Sequence, residues 1–542
     1  MNLTITVIDT TGIQPYIFGS NRLRENVGAS YLVGQVTESW VTQILEFYFE
    51  VTDPILPIVT SGQKAEIVYM GGGNTILLFK SHDIAKDFTR ILSTKTLKDA
   101  PGINLVVTHH HDFNWNEDSL HDIIQGMMKT DMDHKKRSRT PSSPLLGLSV
   151  TQDCLSTRLV AVDDSNNHGS PDQYPVSREI VAKLDVVKSR NDDPKDKQNN
   201  IANTSLKEVI FNPKVPNQWR IPLDFDDFGR SRGEMSYIAV IHIDGNSMGE
   251  RFQNYGKDKK NEAYIKAIRA LSNSVKQAAK DSLKELTAEL IKAIPQLEKI
   301  LDIDPKKLPF RPLVYGGDDV TFVCDGRLGL SLAARYLELF TQKKAADGEN
   351  LTACAGVCIV KAHYPFARAY TLSEELCRSA KKVAKYERRN KNKREKNLSA
   401  IDWHIATSGL TGSLSEIRQR EYQSKDHGSL TMRPLLLEPK AAASHDWQTW
   451  ENTTHLFKEF KKPSWQSKQN KIAALREVLR DGKAATKEFL TVYQLEKLPE
   501  LPTSVGQMAR VDLAKQGWRD NVCGYFDVIE ALDFYVPIGG EA

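Results

Sequence analysis

Apolar and polar positions along the chain fall into one pattern that occurs twice. The first copy opens with the strand Leu3-Thr4-Ile5-Thr6-Val7-Ile8, closed by Asp9, and a helical stretch follows from about Asn21 to Phe49. Two apolar runs, Glu66–Met70 and Thr75–Phe79, flank Gly71-Gly72-Gly73-Asn74 and read as a hairpin. A helix over about His82–Leu97 and a strand over Ile103–Thr108 complete this copy. The second copy opens with Tyr237-Ile238-Ala239-Val240-Ile241-His242-Ile243 and closes that strand with Asp244. Its long helical stretch, roughly Asn261–Ile294, carries Ile265, Ile268, Leu271 and Val275 at helical spacing. A hairpin follows, Leu313–Tyr315 and Val320–Val323 joined by Gly316-Gly317-Asp318-Asp319, then a helix (Leu328–Gln342) and a strand (Leu351–Val360).

The spacings agree as well as the order. From the strand-end Asp to the first turn Gly is 62 residues in the first copy (9 to 71) and 72 in the second (244 to 316). From that Gly to the last strand is 32 (71 to 103) and 35 (316 to 351). The order β-α-β-β-α-β is the ferredoxin-like unit, an antiparallel sheet with helices on one face. The chain is therefore read as α+β: a ferredoxin-like domain over residues 1–160, a linker or insertion over 161–235, a second such domain over 236–405 and a helical domain over 406–542. Val162–Asn203, rich in Asp, Asn, Ser, Lys and Pro, has little periodicity and reads as a mobile linker or insertion. In the tail, Ser467–Arg480 places Ile472, Leu475, Val478 and Leu479 on one helical face, with Gly482 as a C-cap.

Composition narrows the class without naming a function. A length of 542 residues accommodates about three domains, and 40% hydrophobic with 26% charged residues is ordinary globular usage. With 73 Lys and Arg against 69 Asp and Glu, the net charge of +4 excludes a histone-like nucleic-acid binder but permits a local basic groove. No run approaches the ~20 apolar residues of a membrane span, and the N-terminus reads as a strand, not a signal peptide. The six cysteines form no CxxC pair, which predicts a reducing, cytoplasmic setting and no zinc ribbon. Cys354 and Cys358 fall on one strand face as small core residues.

The candidate chemistry lies in the second copy. Asp244 ends the first strand beside the hairpin that carries Asp318 and Asp319, and neighbouring strands are ~4.8 Å apart, so three carboxylates can approach one point. Such a cluster repels itself unless a cation neutralises it. Oxygen-only ligands select Mg2+ or Mn2+, with substrate phosphates completing the shell, and two such ions can activate a hydroxyl and hold a leaving pyrophosphate. Gly316 and Gly317 leave the turn open to a nucleotide. Beyond the last strand a basic helical stretch opens at Ser379-Ala380-Lys381-Lys382 and runs through Lys396, with Lys381 and Lys385 on one face for a triphosphate. The plainer readings are a good hairpin turn and a solvated helix end. The first copy has Gly73 and Asn74 where the second has two aspartates, which leaves Asp9 a poor two-metal site.

Asp244-Gly245-Asn246-Ser247-Met248-Gly249, the Tyr315–Asp319 hairpin and Ala380-Lys381 resemble the second palm of the large subunit of type III CRISPR effectors. Thr10-Thr11-Gly12-Ile13-Gln14-Pro15-Tyr16-Ile17-Phe18 and Leu23–Leu32 resemble its first palm. The resemblance implies a cyclic oligoadenylate synthetase, similar in fold and metal use to GGDEF and class III adenylyl cyclases. In that family two facing palms each hold an ATP, and the GGDD palm joins them 3′ to 5′ with release of pyrophosphate. It implies Asp244, Asp318 and Asp319 as catalytic residues and as ligands, with Ile243, of two Mg2+ or Mn2+ ions. It places the nucleotide at Gly245, Asn246, Gly316, Gly317, Lys381 and Lys385, with Gly71 and Gly72 from the first palm. Implied partners are ATP or another NTP, RNA or CRISPR-type subunits and an effector that senses the cyclic product, with no membrane.

The sequence departs from the family in two places: no HD nuclease domain precedes the first palm, and no four-cysteine zinc module separates the palms. His109-His110-His111-Asp112 and His121-Asp122 have the residue types of an HD site but follow a strand, not a helix. These departures favour a stand-alone enzyme making a cyclic mono-, di- or oligonucleotide messenger in antiviral defence over a scaffold subunit of an RNA-guided complex. A template-dependent polymerase ranks last, because Asp244 is followed by Asn246 and only later by Glu250. Two palms in one chain predict a composite site within one protomer, with oligomerisation left open.

Overall fold

In the computed structural model the first copy folds as β1 (Asn2–Thr11), α1 (Ile13–Phe18), α2 (Leu23–Gly34), α3 (Trp40–Phe49), α4 (Ile58–Ser61), β2 (Ala65–Gly71), β3 (Asn74–Phe79), α5 (His82–Asp99) and β4 (Asn104–Asn114). Two further helices follow, α6 (Leu120–Gly126) and α7 (Met132–Ser138). The sheet is antiparallel in the order β2-β3-β1-β4, the ferredoxin-like order that the repeat predicts. The structure describes all residues except 139–149, 190–199, 212–218, 229–235, 302, 305, 391–397, 407–411, 427, 438–446 and 539–542.

An insertion comes next, with the short hairpin β5 (Asp163–Asp164) and β6 (Pro175–Val176) and helices α8 (Arg178–Asp185) and α9 (Ile201–Leu206). The pattern then returns as β7 (Tyr237–Gly245), α10 (Met248–Asn254), α11 (Asn261–Leu301), β8 (Phe310–Val314), β9 (Val320–Asp325), α12 (Gly329–Thr341) and β10 (Ala353–Lys361). From there α13 (Phe366–Asn390) crosses to β11 (Ala400–Ala406), which pairs parallel with β10. After α14 (Leu414–Glu421) the edge strand β12 (Leu435–Leu436) completes a sheet of order β12-β11-β10-β7-β9-β8. The tail adds α15 (Trp450–Lys461), α16 (Pro463–Gln466), α17 (Gln469–Arg480), α18 (Lys483–Val492), α19 (Gln507–Gln516) and α20 (Phe526–Ala531), with a small hairpin, β13 (Trp518–Arg519) and β14 (Val522–Cys523). Gly482, read as a C-cap, has φ +98° and joins α17 to α18.

The expectation of helices on one sheet face is corrected in both copies, because the central strands are apolar on both faces. In β7, Ala239, Ile241 and Ile243 join the core formed with α11, α12 and the tail, while Ile238 and Val240 join the core of the first copy's helices and α13. In β1, Leu3, Ile5 and Val7 pack with α6 and with Tyr264, Ile265 and Ile268 of α11. The second copy's long helix therefore covers the first copy's sheet, and the two units share their apolar faces.

The low-periodicity stretch after Val162 is likewise packed over residues 163–188. Gly28 of α2 lies so close to α8 that a Cβ there would sit 1.9 Å from the Lys183 carbonyl. The buried Lys183 ammonium donates to Tyr16 O (2.8 Å) and Glu179 (2.7 Å), which ties the insertion to α1.

Candidate active site

Strand alternation puts Ile238, Val240, His242 and Asp244 on the β7 face that α13 covers. A glycine makes that cover possible. A Cβ on Gly356 of β10 would lie 2.0 Å from Ser373 O and 2.4 Å from Cys377 N, so only a bare backbone lets α13 lie this close. This seating brings Lys381 Nζ to 2.5 Å from Asp244 Oδ2 and 2.9 Å from Gly245 O. Burial works against the Lys381 ammonium, but Asp244 outweighs it and leaves the pKa raised.

The residues after Asp244 set the shape of the site. Gly245 N donates to Asp318 O (3.2 Å), and a Cβ on Gly245 would stand 2.7 Å from Asp318 Cβ. Glycine here is what lets the Asp318 turn close on the strand end. Asn246 is placed differently from the expectation of a nucleotide contact. Its amide is buried, donates to Thr352 Oγ1 (3.2 Å) and Leu398 O (3.0 Å), and anchors the strand end. Ile243 is a core side chain in ladder register with Val320 and Ala355, so only its backbone is available to an ion. Lys385, one turn beyond Lys381, is exposed. Lys396, the end of the expected basic stretch, lies outside the described residues.

The carboxylates meet as an electrostatic problem that this chain alone does not solve. Burial first, and Asp244 second, push the Asp318 carboxyl up to about 6. Burial, Asp244, Asp318 and Glu374 raise Asp319 well above the carboxylate range. Asp319 Oδ1 is a buried oxygen with no hydrogen-bond partner among the described residues, with His242 Nδ1 3.4 Å away and itself 3.3 Å from Thr321 Oγ1. Among the described residues no three His, Cys, Asp or Glu side chains close into a ready-made metal cage, and Asp244 is turned to Lys381 instead. An orphaned carboxylate oxygen beside further carboxylates, in an open arrangement, suits Mg2+ or Mn2+, which bind through one or two carboxylates and keep places for substrate phosphates. His242 and Gly356 had only weak sequence signals, a polar residue inside an apolar strand and a glycine inside another.

The two hairpin turns open onto one cavity of about 430 Å³ between the copies. Gly72 and Gly73 line it from the first, and Tyr315 through Asp319 from the second. Gly71 is not in the wall. Gly316 and Gly317 have no positive φ, and a Cβ on either would meet no atom within 4 Å, so nothing among the described residues requires glycine at these positions. Ser30, Tyr31 and the π-helical turn Gln35–Ser39 after α2 add to the wall, as do Ile13 and Ile17 of α1 and Lys276 and Lys280 of α11. Lys276 pairs with Glu38 at 2.5 Å, and burial with Lys276 nearby holds the Lys280 ammonium below its usual range. Sequence reasoning missed these lysines, which sit four apart on a long amphipathic helix and look like its solvated face.

The expectation that the histidines of a displaced HD site follow a strand is corrected in part: His109, His110 and His111 stand on β4, whereas His121 and Asp122 lie on helix α6. His109 meets Thr6 Oγ1 (2.9 Å) and Thr89 Oγ1 (3.4 Å), and His121 meets Asp122 (2.8 Å) and Gln253 O (2.9 Å). All six cysteines are buried and unbridged, as core residues should be. No described helix is long and apolar enough to cross a membrane.

Fold and site together define a two-palm protein whose aspartate-bearing turn lies in the second palm. Residues 237–393 match the family model of the Cas10/Cmr2 second palm domain. The chain is similar over 98% of its length to the solved Csm1–Csm4 cassette in complex with pppApApA, at 14% identity, 69% coverage of that chain and a TM-score of 0.52. It is similar to Csm1 of T. onnurineus at 13% identity, with 98% and 69% of the two chains covered and a TM-score of 0.51. A Csm1–Csm4 subcomplex of the type III-A CRISPR–Csm interference complex gives 13%, 98% and 70%, and 0.51. At these identities the likeness is one of fold. No curated protein matches the sequence.

Proposed function

We propose that this chain is a palm-type nucleotidyltransferase that joins ATP units 3′ to 5′ into a cyclic oligoadenylate, releasing pyrophosphate, as the large palm subunit of a type III CRISPR complex. The observation that carries the reading is the single cavity onto which the Gly72–Gly73 turn and the Gly316–Asp319 turn both open. Similar structures captured with pppApA, pppApApA and cA4 support adenylate chemistry for such a cavity. A subunit is favoured here over the stand-alone enzyme expected from the sequence, since the structural likeness to Csm1 spans nearly the whole chain.

In this reading Asp244, Asp318 and Asp319 would hold two Mg2+ or Mn2+ ions, which would supply the charge that activates a 3′-hydroxyl and neutralises a leaving pyrophosphate. Gly316 and Gly317 leave room for a nucleotide against the backbone. Lys381 supplies a fixed cation at the Asp244 end. Ile13 and Ile17 give the cavity an apolar wall that displaces water from the reacting groups. The new phosphodiester forms as the 3′-oxygen attacks the α-phosphorus and the bond to pyrophosphate breaks.

The test is mass spectrometry of products from each NTP with Mg2+ or Mn2+, with the chain alone and with its sister subunits and target RNA. Cyclic adenylates are expected from ATP. Because both turns belong to one chain, specific activity should not fall on dilution. Failure to form any 3′–5′ adenylate product under either condition would overturn the reading.

A further inference from the structure

Arg418 of the tail is bonded to the helix that carries Lys381. Arg418, on the first tail helix α14, donates through Nη2 to the fully buried Asp402 of β11 (2.5 Å) and through Nη1 to Ser379 Oγ of α13 (3.2 Å). A second tie joins the same two helices: Leu414 N, at the start of α14, donates to Glu375 Oε2 (2.9 Å). Glu375 and Ser379 are i, i+4 neighbours on one face of α13. Lys381 lies two residues on, roughly 200° round the same turn at ~100° per residue, and faces Asp244. One turn of α13 is thus held by the tail on one side and offers its lysine to the candidate site on the other.

We propose that Arg418 is a positioning residue: anchored on β11, it fixes the turn of α13 that sets Lys381 against Asp244, so the tail tunes the site. Arg418 can serve as a fixed arm because its partner is buried. Asp402 is wholly inside the protein, its Oδ1 also accepts from Trp403 N, and its charge has to be answered by a cation. The capping box of α14, with Ser413 and Glu416 satisfying one another's backbone, sets where Leu414 begins and so where Arg418 stands one turn later. The inference rests on the reading of Lys381 as a phosphate-end cation, and its test separates the two.

Ser379→Ala is the sharper variant, because it removes only the α13 end of the bridge and leaves the Asp402 ion pair intact. Arg418→Ala leaves a buried carboxylate unanswered and can weaken the fold on its own. Both are made in the wild-type and Lys381→Ala backgrounds. Amide exchange over residues 375–385 is measured in the full chain without nucleotide or metal, and kcat and KM are measured for ATP. Exchange should quicken roughly tenfold in Ser379→Ala, a ~1.4 kcal/mol change in local opening. Its kcat/KM should fall roughly fivefold, with no further loss when Lys381 is already Ala, the non-additivity of groups acting through one another. Unchanged exchange, or an equal fold-loss in both backgrounds, would overturn the proposal. If the wild type makes no product, the reaction reading fails while exchange still decides the bridge.

Discussion

The two palms carry the same frame with opposite fillings. Each carries, near the end of its first strand, an aspartate held by a lysine from a helix that follows the fourth strand of its repeat: Asp9 by Lys136 of α7, and Asp244 by Lys381 of α13. Each closes the strand end on the hairpin by one backbone bond, Thr10 N to Gly73 O (3.1 Å) and Gly245 N to Asp318 O (3.2 Å). These bonds set Thr10 against Gly245, and Gly73 against Asp318, as structural equivalents. The space between them admits one side chain only. In the first palm it belongs to Thr10, and a Cβ on Gly73 would stand 2.7 Å from Thr10 Oγ1. In the second it belongs to Asp318, and Gly245 is bare.

The turns differ to match. Gly72 and Gly73 both have positive φ, in the two-residue hairpin of the first palm, whereas Gly316 and Gly317 sit in a wider turn with no such constraint. Asp9 is 13% exposed against 40% for Asp244. The first palm therefore did not merely lose two carboxylates. Its strand end has filled the position that a carboxylate would need, so restoring the acids alone would not rebuild the site.

The largest effect that would break this comparison is in the second turn. Asp318→Ala with Asp319→Ala should cut product formation by about 10³-fold or more, the scale of lost metal-assisted charge stabilisation. Its melting midpoint should hold or rise, because two mutually repelling carboxyls are removed. Retained turnover by mass spectrometry would displace the site from this turn. Next, Asp244→Asn should lose roughly 100-fold in kcat/KM while Asp9→Asn stays within about twofold, since an amide is a poor Mg2+ ligand. Equal losses at both positions would erase the division between palms.

A reciprocal pair sharpens the filling argument. Gly245→Ala should cost roughly tenfold in kcat/KM by pushing Asp318 aside. Gly73→Ala should instead cost mainly stability, about 1–2 kcal/mol for a side chain at φ +83°, with a smaller loss of activity than Gly245→Ala. Denaturant midpoints and steady-state rates read the two apart.

The smallest effect is in pH. Burial, with Arg433 and Arg418 nearby, pushes His404 of the second palm down to about 3. Burial, with His82, Lys135 and Lys86, pushes His109 of the first down to about 4. Both stay neutral in the folded chain, while an unfolded histidine takes up a proton below ~6.5. Stability is then present in full above that pH and lost as pH falls through it towards 4. The difference in urea midpoint between wild type and His109→Gln should be level from pH 8 to 7 and shift against the wild type from 6.5 to 5, which isolates this ring from the raised Asp318 and Asp319 carboxyls, whose linkage has the opposite sign. A difference that stays level throughout would show that the first palm's ring carries none of the loss.

Much of the frame was legible in the sequence because it is written locally. A strand of apolar residues closed by Asp9 or Asp244, and a glycine turn between two apolar runs, need only neighbouring residues to be recognised. The insertion was not legible, since its short elements have little period of their own and are held by Gly28 and Tyr16 of the first palm. Asn246 shows the converse failure: a residue that looks like a ligand in its motif is spent on Thr352 and Leu398, over 100 residues away in the chain.

By itself the sequence determined the repeated βαββαβ order, the two hairpin turns and the presence of aspartates in only one of them. These follow from period, turn chemistry and residue identity. Only the tertiary structure decided that Gly356 seats α13, that Lys381 therefore reaches Asp244, and that Lys276 and Lys280 turn into the space between the palms. Those outcomes depend on which backbones approach within a Cβ's radius and which helix covers which sheet face, and no run of neighbouring residues carries that distance.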